Sequence, residues 1–267
     1  MTPDPVAFLD SGVGGLPYLA HARRRLRGRR LVYAADRENF PYGEKSRAAI
    51  IAAAASVAGR LIEREHPRLV VVACNTMSVV ALAELRARFS VPFVGVVPAV
   101  KPAASLSLRR RVGVLATRQT VEGEYLRNLI VEHAAGCDVV SLSSSGLVDF
   151  VENGLFQASA EERESRVRQE VDRFRSEGID ALVLGCTHFL HLEKEFRSLL
   201  EAESIALVDS RDGVTRQAER LLRDAPRDAA AADSSGPDTL YVTGERPPDG
   251  RYEWFAARFG LQLRGSL

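Results

Sequence analysis

The sequence predicts an α/β protein of two doubly wound parallel-sheet domains, with a functional site expected in the cleft between them. Three observations carry the prediction. Short apolar runs without alternation, such as Val70-Val71-Val72 and Leu182-Val183-Leu184, suit strands buried on both faces. Segments with apolar residues at helical period separate these runs, as in Val79, Leu82, Leu85 and Phe89. The alternation reads β-α-β-α-β-α-β to residue 97 and starts afresh at Pro98. The division expected is residues 1–97 with 209–267 for the first domain and residues 98–208 for the second.

Composition bounds the function. A chain of 267 residues, 46% hydrophobic, can fill two cores. Its net charge of +1 argues against nucleic acid as a partner. The arginine-rich segment 21–30 reads as the solvated face and last turn of a helix ended near Gly28. Three cysteines without a C-x-x-C pair fit neither a disulfide framework nor a zinc ribbon, so reduced thiols in a cytoplasm are expected. The first residues lack the basic start and apolar core of a signal peptide, and no apolar run reaches membrane-spanning length. A cytoplasmic protein with no membrane partner is the expectation.

In chain order, Val6-Ala7-Phe8-Leu9 is a first strand, and Asp10-Ser11-Gly12-Val13-Gly14-Gly15 is a glycine-rich turn into a helix with Pro17 in its first turn. That loop can cradle an anion but is neither a dinucleotide fingerprint nor a P-loop, and Asp10 serves equally well as an N-cap. Residues 31–36 form a second strand. Phe40-Pro41-Tyr42-Gly43 is a turn before a helix that Ser46 caps and that runs to about residue 65. The strand ending at Cys74 and its helix follow, then a fourth strand at 91–97. Past Pro98 come a helix at 100–108, a strand at 111–116 and a helix at 121–132. Next is a strand at 137–141, in which Cys137 is assigned to packing. Ser143-Ser144-Ser145-Gly146 opens a helix carrying Asp149 and Glu152, and a charged helix at 160–177 leads to the strand before Cys186. A strand at 205–208, a helix at 212–222 and a surface linker at 225–237 precede the terminal strand 239–243 and a helix around 254–259. This last piece is too short for a domain and should extend the first sheet.

Two of the three cysteines share one design. Cys74 follows Val70-Val71-Val72-Ala73, and Cys186 follows Leu182-Val183-Leu184-Gly185; each ends an apolar strand and precedes polar residues that start a helix. In an open α/β sheet ligands collect at that end of the strand, and the N–H groups and dipole of a helix start stabilise a thiolate. Either cysteine alone would be a packing residue; their shared context argues for chemistry.

Taken together, Asp10-Ser11-Gly12-x-Gly14-Gly15, Pro41-Tyr42-Gly43, Ala73-Cys74-Asn75-Thr76, Glu152, Gly185-Cys186-Thr187-His188 and Val208-Asp209-Ser210 resemble the glutamate racemases of the cofactor-independent aspartate/glutamate racemase superfamily. The resemblance spans nearly the whole chain. It implies two-base racemisation of glutamate, supplying D-glutamate for peptidoglycan, with no metal and no other cofactor. It implies Cys74 and Cys186 as the two acid/bases, Cys74 acting on D-glutamate and Cys186 on L-glutamate. Asp10, Glu152 and His188 match the assisting polar residues. Ser11, Tyr42, Gly43, Asn75, Thr76 and Thr187 match substrate-binding positions, beside Asp10, the two cysteines and His188. The expected partner is the small-molecule substrate glutamate, with a homodimer a possible assembly.

The chemistry agrees with that role. An α-proton beside a carboxylate is weakly acidic, so a site without a cofactor must supply fixed donors and exclude water. A free thiol, with pKa about 8.5, is close enough to working pH to serve as a general base once activated. The chain departs from the resemblance at Val97-Pro98, where a Glu commonly precedes the proline, and at Ser144-Ser145-Gly146, where a Cys-Pro pair commonly stands. Rival readings are racemisation of aspartate or a hydantoin, a pyridoxal-phosphate enzyme using Lys45, Lys101 or Lys194, and a metal module built on Cys74, Cys186 and His188.

Overall fold

The computed structural model describes residues 4–224 and 236–267. All but the last two positions of the expected linker, residues 225–237, therefore lie outside the described residues. The strands are β1 (Val6–Asp10), β2 (Leu31–Ala35), β3 (Leu69–Val72), β4 (Phe93–Gly95), β5 (Arg111–Ala116), β6 (Asp138–Ser143), β7 (Ala181–Leu184), β8 (Ala206–Val208), β9 (Thr239–Val242) and β10 (Gln262–Ser266). The helices are α1 (Leu16–Arg23), α2 (Arg47–Glu65), α3 (Asn75–Arg88), α4 (Val100–Leu106), α5 (Arg118–Val121), α6 (Glu124–His133), α7 (Ser145–Asp149), α8 (Ala160–Arg175), α9 (Glu193–Glu201), α10 (Arg211–Asp224) and α11 (Gly250–Phe259). The chain divides into two compact units, Met1–Val96 with Arg211–Leu267, and Val97–Ser210.

The first unit holds a six-stranded sheet in the order β10-β9-β2-β1-β3-β4, parallel throughout. Because β2 and β3 flank β1 on opposite sides, the strand order reverses there, and the crevice at such a switch point is where doubly wound sheets bind ligands. Asp10 ends β1, and Cys74 stands just past the end of β3. The second unit repeats the arrangement with a parallel sheet ordered β6-β5-β7-β8. Its reversal falls between β5 and β7, whose ends lead to Thr117 and Cys186. The valine- and leucine-rich strands at both reversals are buried along nearly their whole lengths, which is why they read as unbroken apolar runs.

Most elements lie where the sequence puts them, and the differences have local causes. Ser46 caps α2 as expected, accepting the N–H of Ala49 at 3.3 Å. The helix expected at 121–132 is α6, which begins after the extended Gly123 that caps it, while the residues expected only as the end of the preceding strand form the short helix α5. The strand expected at 91–97 shortens to β4: Pro92 has no N–H for the ladder, and the Val96 N–H is also claimed by Ser78 Oγ at 3.0 Å. Helix α1 stops at Arg23, and Gly28, at φ +78°, turns the chain into β2. Three arginines of segment 21–30 are ion-paired rather than merely solvated: Arg23 to Asp238 at 2.7 Å, Arg25 to Glu219 at 2.9 Å and Arg30 to Glu65 at 2.5 Å. The terminal piece does extend the first sheet, through β9 on β2, and adds an edge strand, β10, with no counterpart in the sequence expectations. Its short run Gln262–Ser266 is half exposed and interrupted by Gly265, so it carries no buried-strand pattern. Among the described residues no helix is long and apolar enough to cross a membrane.

Candidate active site

In the first unit the site is built on the end of β1, the turn after β2 and the start of α3. Cys74, only 5% exposed, is the N-cap of α3; its Sγ accepts the Met77 N–H at 3.5 Å and lies 3.7 Å from Ser11 Oγ. A sulfur at a helix N-cap receives both the free N–H groups and the positive end of the dipole, the two effects that stabilise a thiolate. Ser11 Oγ also donates to Asp10 Oδ1 at 3.3 Å, so Cys74, Ser11 and Asp10 form a chain of polar contacts. Asp10 is fully buried and accepts the N–H of Ser11 at 2.7 Å and that of Gly15 at 2.6 Å. It is not the N-cap of α1, which is Gly15; the carboxylate ties the loop shut instead.

Asn75 follows in the first turn of α3, 2% exposed, with neither Oδ1 nor Nδ2 hydrogen-bonded. A buried amide without partners costs about 1–3 kcal/mol per polar group, a cost that proteins retain where a ligand supplies the partner. Thr76, the next residue, is buried as well, and so is Ser11 in the loop after β1. Tyr42 and Gly43 lie in the tight 3-10 turn Tyr42–Glu44, and the Tyr42 hydroxyl donates to Asp36 Oδ2 at 2.6 Å. Burial foremost, then the Asp36 carboxylate, pushes the Tyr42 phenol far above its ordinary range; the charges of Cys74 and Asp10 add to this, which puts both within electrostatic reach of Tyr42.

The second unit assembles a different set around its thiol. Cys186, again 5% exposed, does not begin an α-helix as expected but a 3-10 stretch, Thr187–Leu192. All six of its side chains are buried, leaving no polar face for an amphipathic helix, and α9 starts only where charge returns at Glu193. His188 Nδ1 lies 3.8 Å from Cys186 Sγ, and its Nε2 lies 3.1 Å from Glu152 Oε2. A carboxylate at Glu152 accepts the Nε2–H, which leaves the Nδ1 lone pair facing the thiol. Glu152 comes from a π-helical turn, Phe150–Gly154, that continues α7; such bulges are frequent at functional sites because they re-aim one side chain. Thr187 is buried next to Cys186, and at the end of β5 the hydroxyls of Thr117 and Thr120 lie 3.1 Å apart.

The sequence-predicted residues thus gather into two sets: Asp10, Ser11, Tyr42, Gly43, Cys74, Asn75 and Thr76 in the first unit, Glu152, Cys186, Thr187 and His188 in the second. Absent from the expectations are Asp36, which receives Tyr42, Asn39 and, at 2.7 Å, Thr243 Oγ1, and Tyr33, whose hydroxyl reaches Asp10. Asp36 ends the second predicted strand just as Asp10 follows the first, a parallel visible in the sequence. Tyr33 is an aromatic inside a strand, and only the strand register reveals it. Among the described residues no group of three His, Cys, Asp or Glu could hold a metal ion.

Each of the two parallel-sheet units thus carries a thiol at its switch point and a buried carboxylate linked to that thiol by one intervening side chain, an arrangement suited to moving a proton at sulfur. The sequence matches the Asp/Glu/hydantoin racemase family over residues 18–218, and the chain belongs to that family. Among its relatives, glutamate racemase of Treponema pallidum (strain Nichols) is 43% identical over 264 residues, covering 98% of this chain and 96% of that protein. Glutamate racemase of Shewanella sp. (strain MR-7) is 37% identical over 236 residues, 88% of this chain and 86% of the relative. Among solved structures, Escherichia coli glutamate racemase in complex with L-glutamate and the activator UDP-MurNAc-ala matches with a TM-score of 0.87 at 35% identity, covering 98% of this chain and 97% of that one.

Proposed function

We propose that the protein interconverts L- and D-glutamate by a two-thiol mechanism and so supplies D-glutamate for peptidoglycan in the cytoplasm. The observation that carries this reading is the pairing of each strand-end thiol with its own proton-handling chain, Cys74–Ser11–Asp10 and Cys186–His188–Glu152. Glutamate as substrate is supported by the relatives at 37–43% identity, each a glutamate racemase over most of its length. In the D-to-L direction the Cys74 thiolate takes the α-proton: the Cα–H bond breaks, an S–H bond forms, and the electron pair stays on Cα. Cys186, as thiol, then gives its proton to the opposite face: the S–H bond breaks, a Cα–H bond forms from the pair on Cα, and Cys186 is left as thiolate. The reverse direction exchanges the roles. The helix-start N–H groups of α3 and the unpartnered amide of Asn75 suit the substrate's carboxylates and ammonium group.

Polarimetry with L- and D-glutamate, run beside both aspartate enantiomers, tests the reading. Loss of optical rotation with glutamate and none with aspartate is expected. Turnover of aspartate alone would move the protein to another reaction of its family.

A further inference from the structure

We propose that Tyr33 is a positioning residue for the reaction: its buried hydroxyl fixes the Asp10 carboxylate, and through Ser11 it fixes the surroundings of the Cys74 thiol. The proposal rests on the two-thiol reading above. In the parallel ladder Phe8 pairs with Tyr33 and Asp10 with Ala35. Ala7, Leu9, Val32 and Ala34 pack into the core on one side of the sheet, so Phe8, Asp10 and Tyr33 project to the other, with Tyr33 diagonally behind Asp10. The ring is fully buried, and its hydroxyl lies 3.0 Å from Asp10 Oδ2 and 3.0 Å from the Gly12 carbonyl while accepting the Gly15 N–H at 2.9 Å.

These contacts divide the carboxylate. Oδ2 is held by Tyr33 and by the Gly15 N–H at 2.6 Å, whereas Oδ1 faces the Ser11 N–H at 2.7 Å and Ser11 Oγ at 3.3 Å. Ser11 Oγ is the group 3.7 Å from Cys74 Sγ. With the Tyr33 hydroxyl removed, Oδ2 keeps only the Gly15 N–H, so the carboxylate is held less firmly against rotation about its Cβ–Cγ bond, a motion that shifts Oδ1 relative to Ser11. Packing alone would be satisfied by phenylalanine at this position; the buried hydroxyl is retained for its polar partners.

The test is Tyr33→Phe, measured as kcat and KM in both directions together with the rate of alkylation at Cys74 and at Cys186, located by mass spectrometry. Expected are a fall in kcat of about tenfold or more in both directions, a KM held within about twofold, and an altered alkylation rate at Cys74 but not at Cys186. Unchanged kcat in a folded variant, or equal changes at both thiols, would overturn the proposal, since a merely structural latch loosens the fold without singling out one sulfur. If Tyr33→Phe does not fold, 3-fluorotyrosine at position 33 keeps the packing and alters only the strength of the donor; a shifted kcat supports the assignment and an unshifted one overturns it. Cys74→Ser, run alongside, separates the two ideas. Should it racemise like the parent, the two-thiol reading fails. Should it be inactive while Tyr33→Phe retains full kcat, only the role of Tyr33 fails.

Discussion

Replacing Gly15 by alanine tests how packing sets the chemistry of the first thiol. A Cβ at this position would stand 2.5 Å from Ala73 Cβ, 2.8 Å from the Ala73 carbonyl and 2.9 Å from the Tyr33 hydroxyl. Carbon atoms pack at about 3.5–4.0 Å, so the loop and the end of β3 must part by about 1 Å. No rotamer can relieve this, because two of the three obstacles are a methyl group and a backbone oxygen of Ala73. The Ala73 N–H is bonded to Leu9 O at 2.7 Å, and the next residue is Cys74. Overpacking of this kind costs about 1–3 kcal/mol, and a 1 Å misplacement of a reacting group costs about a hundredfold in rate. Gly15→Ala is therefore expected to lower the unfolding free energy measured by urea titration by the first amount and kcat by the second. Gly146→Ala is the control: nothing lies within 4 Å of its Cβ, and its stability should stay within about 0.5 kcal/mol of the parent. A Gly15→Ala protein with the parent's midpoint and a kcat within about threefold would refute the argument that this contact seats Cys74.

Other predictions concern individual side chains. Tyr42 holds its proton in the fold more tightly than in the unfolded chain, so above about pH 10 the unfolded state releases a proton that the folded state keeps, and stability should fall by about 1.4 kcal/mol per pH unit from this residue. Urea titrations from pH 9 to 11 should show that share of the slope disappearing in Tyr42→Phe; an identical slope in both proteins would exclude Tyr42 as its source. Glu152→Gln removes the charged acceptor of His188 Nε2 at 3.1 Å and should lower kcat by about tenfold or more. Parental kcat in that variant would mean that the His188 ring is oriented by something else. Ser159→Ala removes the cap that accepts the Glu162 N–H at 3.2 Å and should cost about 1 kcal/mol of stability with kcat unchanged, measured by the same titration and polarimetry.

The fold was legible because its strands are buried on both faces. Val70-Val71-Val72 and Leu182-Val183-Leu184 have no polar alternation to mislead, and both are strands. Legibility failed where tertiary packing overrides local pattern. The run after Cys186 is helical in composition but buried all round, and it folds as a 3-10 stretch. The edge strand β10 is half exposed and carries no such signature. Among the predicted site residues, those beside the two thiols stood out because a polar cluster at a strand end is unusual in an apolar run. Glu152 was harder: an acidic residue early in a helix is usually a dipole contact, and only the π-turn brings it to His188. Tyr33 and Asp36 were not legible as partners of Asp10 and Tyr42, since those pairings need the register of β1 with β2 and the path of the turn after it.

The claim that two thiols work on opposite faces of one α-carbon is tested most directly with Cys74→Ser and Cys186→Ser. Each is assayed for racemisation of glutamate and for elimination of chloride from the two enantiomers of threo-β-chloroglutamate. Elimination needs one base only: the thiolate takes the α-proton, the electron pair forms the Cα–Cβ double bond, and chloride leaves. A serine hydroxyl is far too weak an acid/base at neutral pH, so both variants should lose racemisation, yet each should still eliminate chloride from a single enantiomer. The account predicts opposite preferences, with Cys186→Ser acting on the D-form through Cys74 and Cys74→Ser on the L-form through Cys186. The same preference in both variants, or racemisation by either at close to the parent's rate, would contradict it.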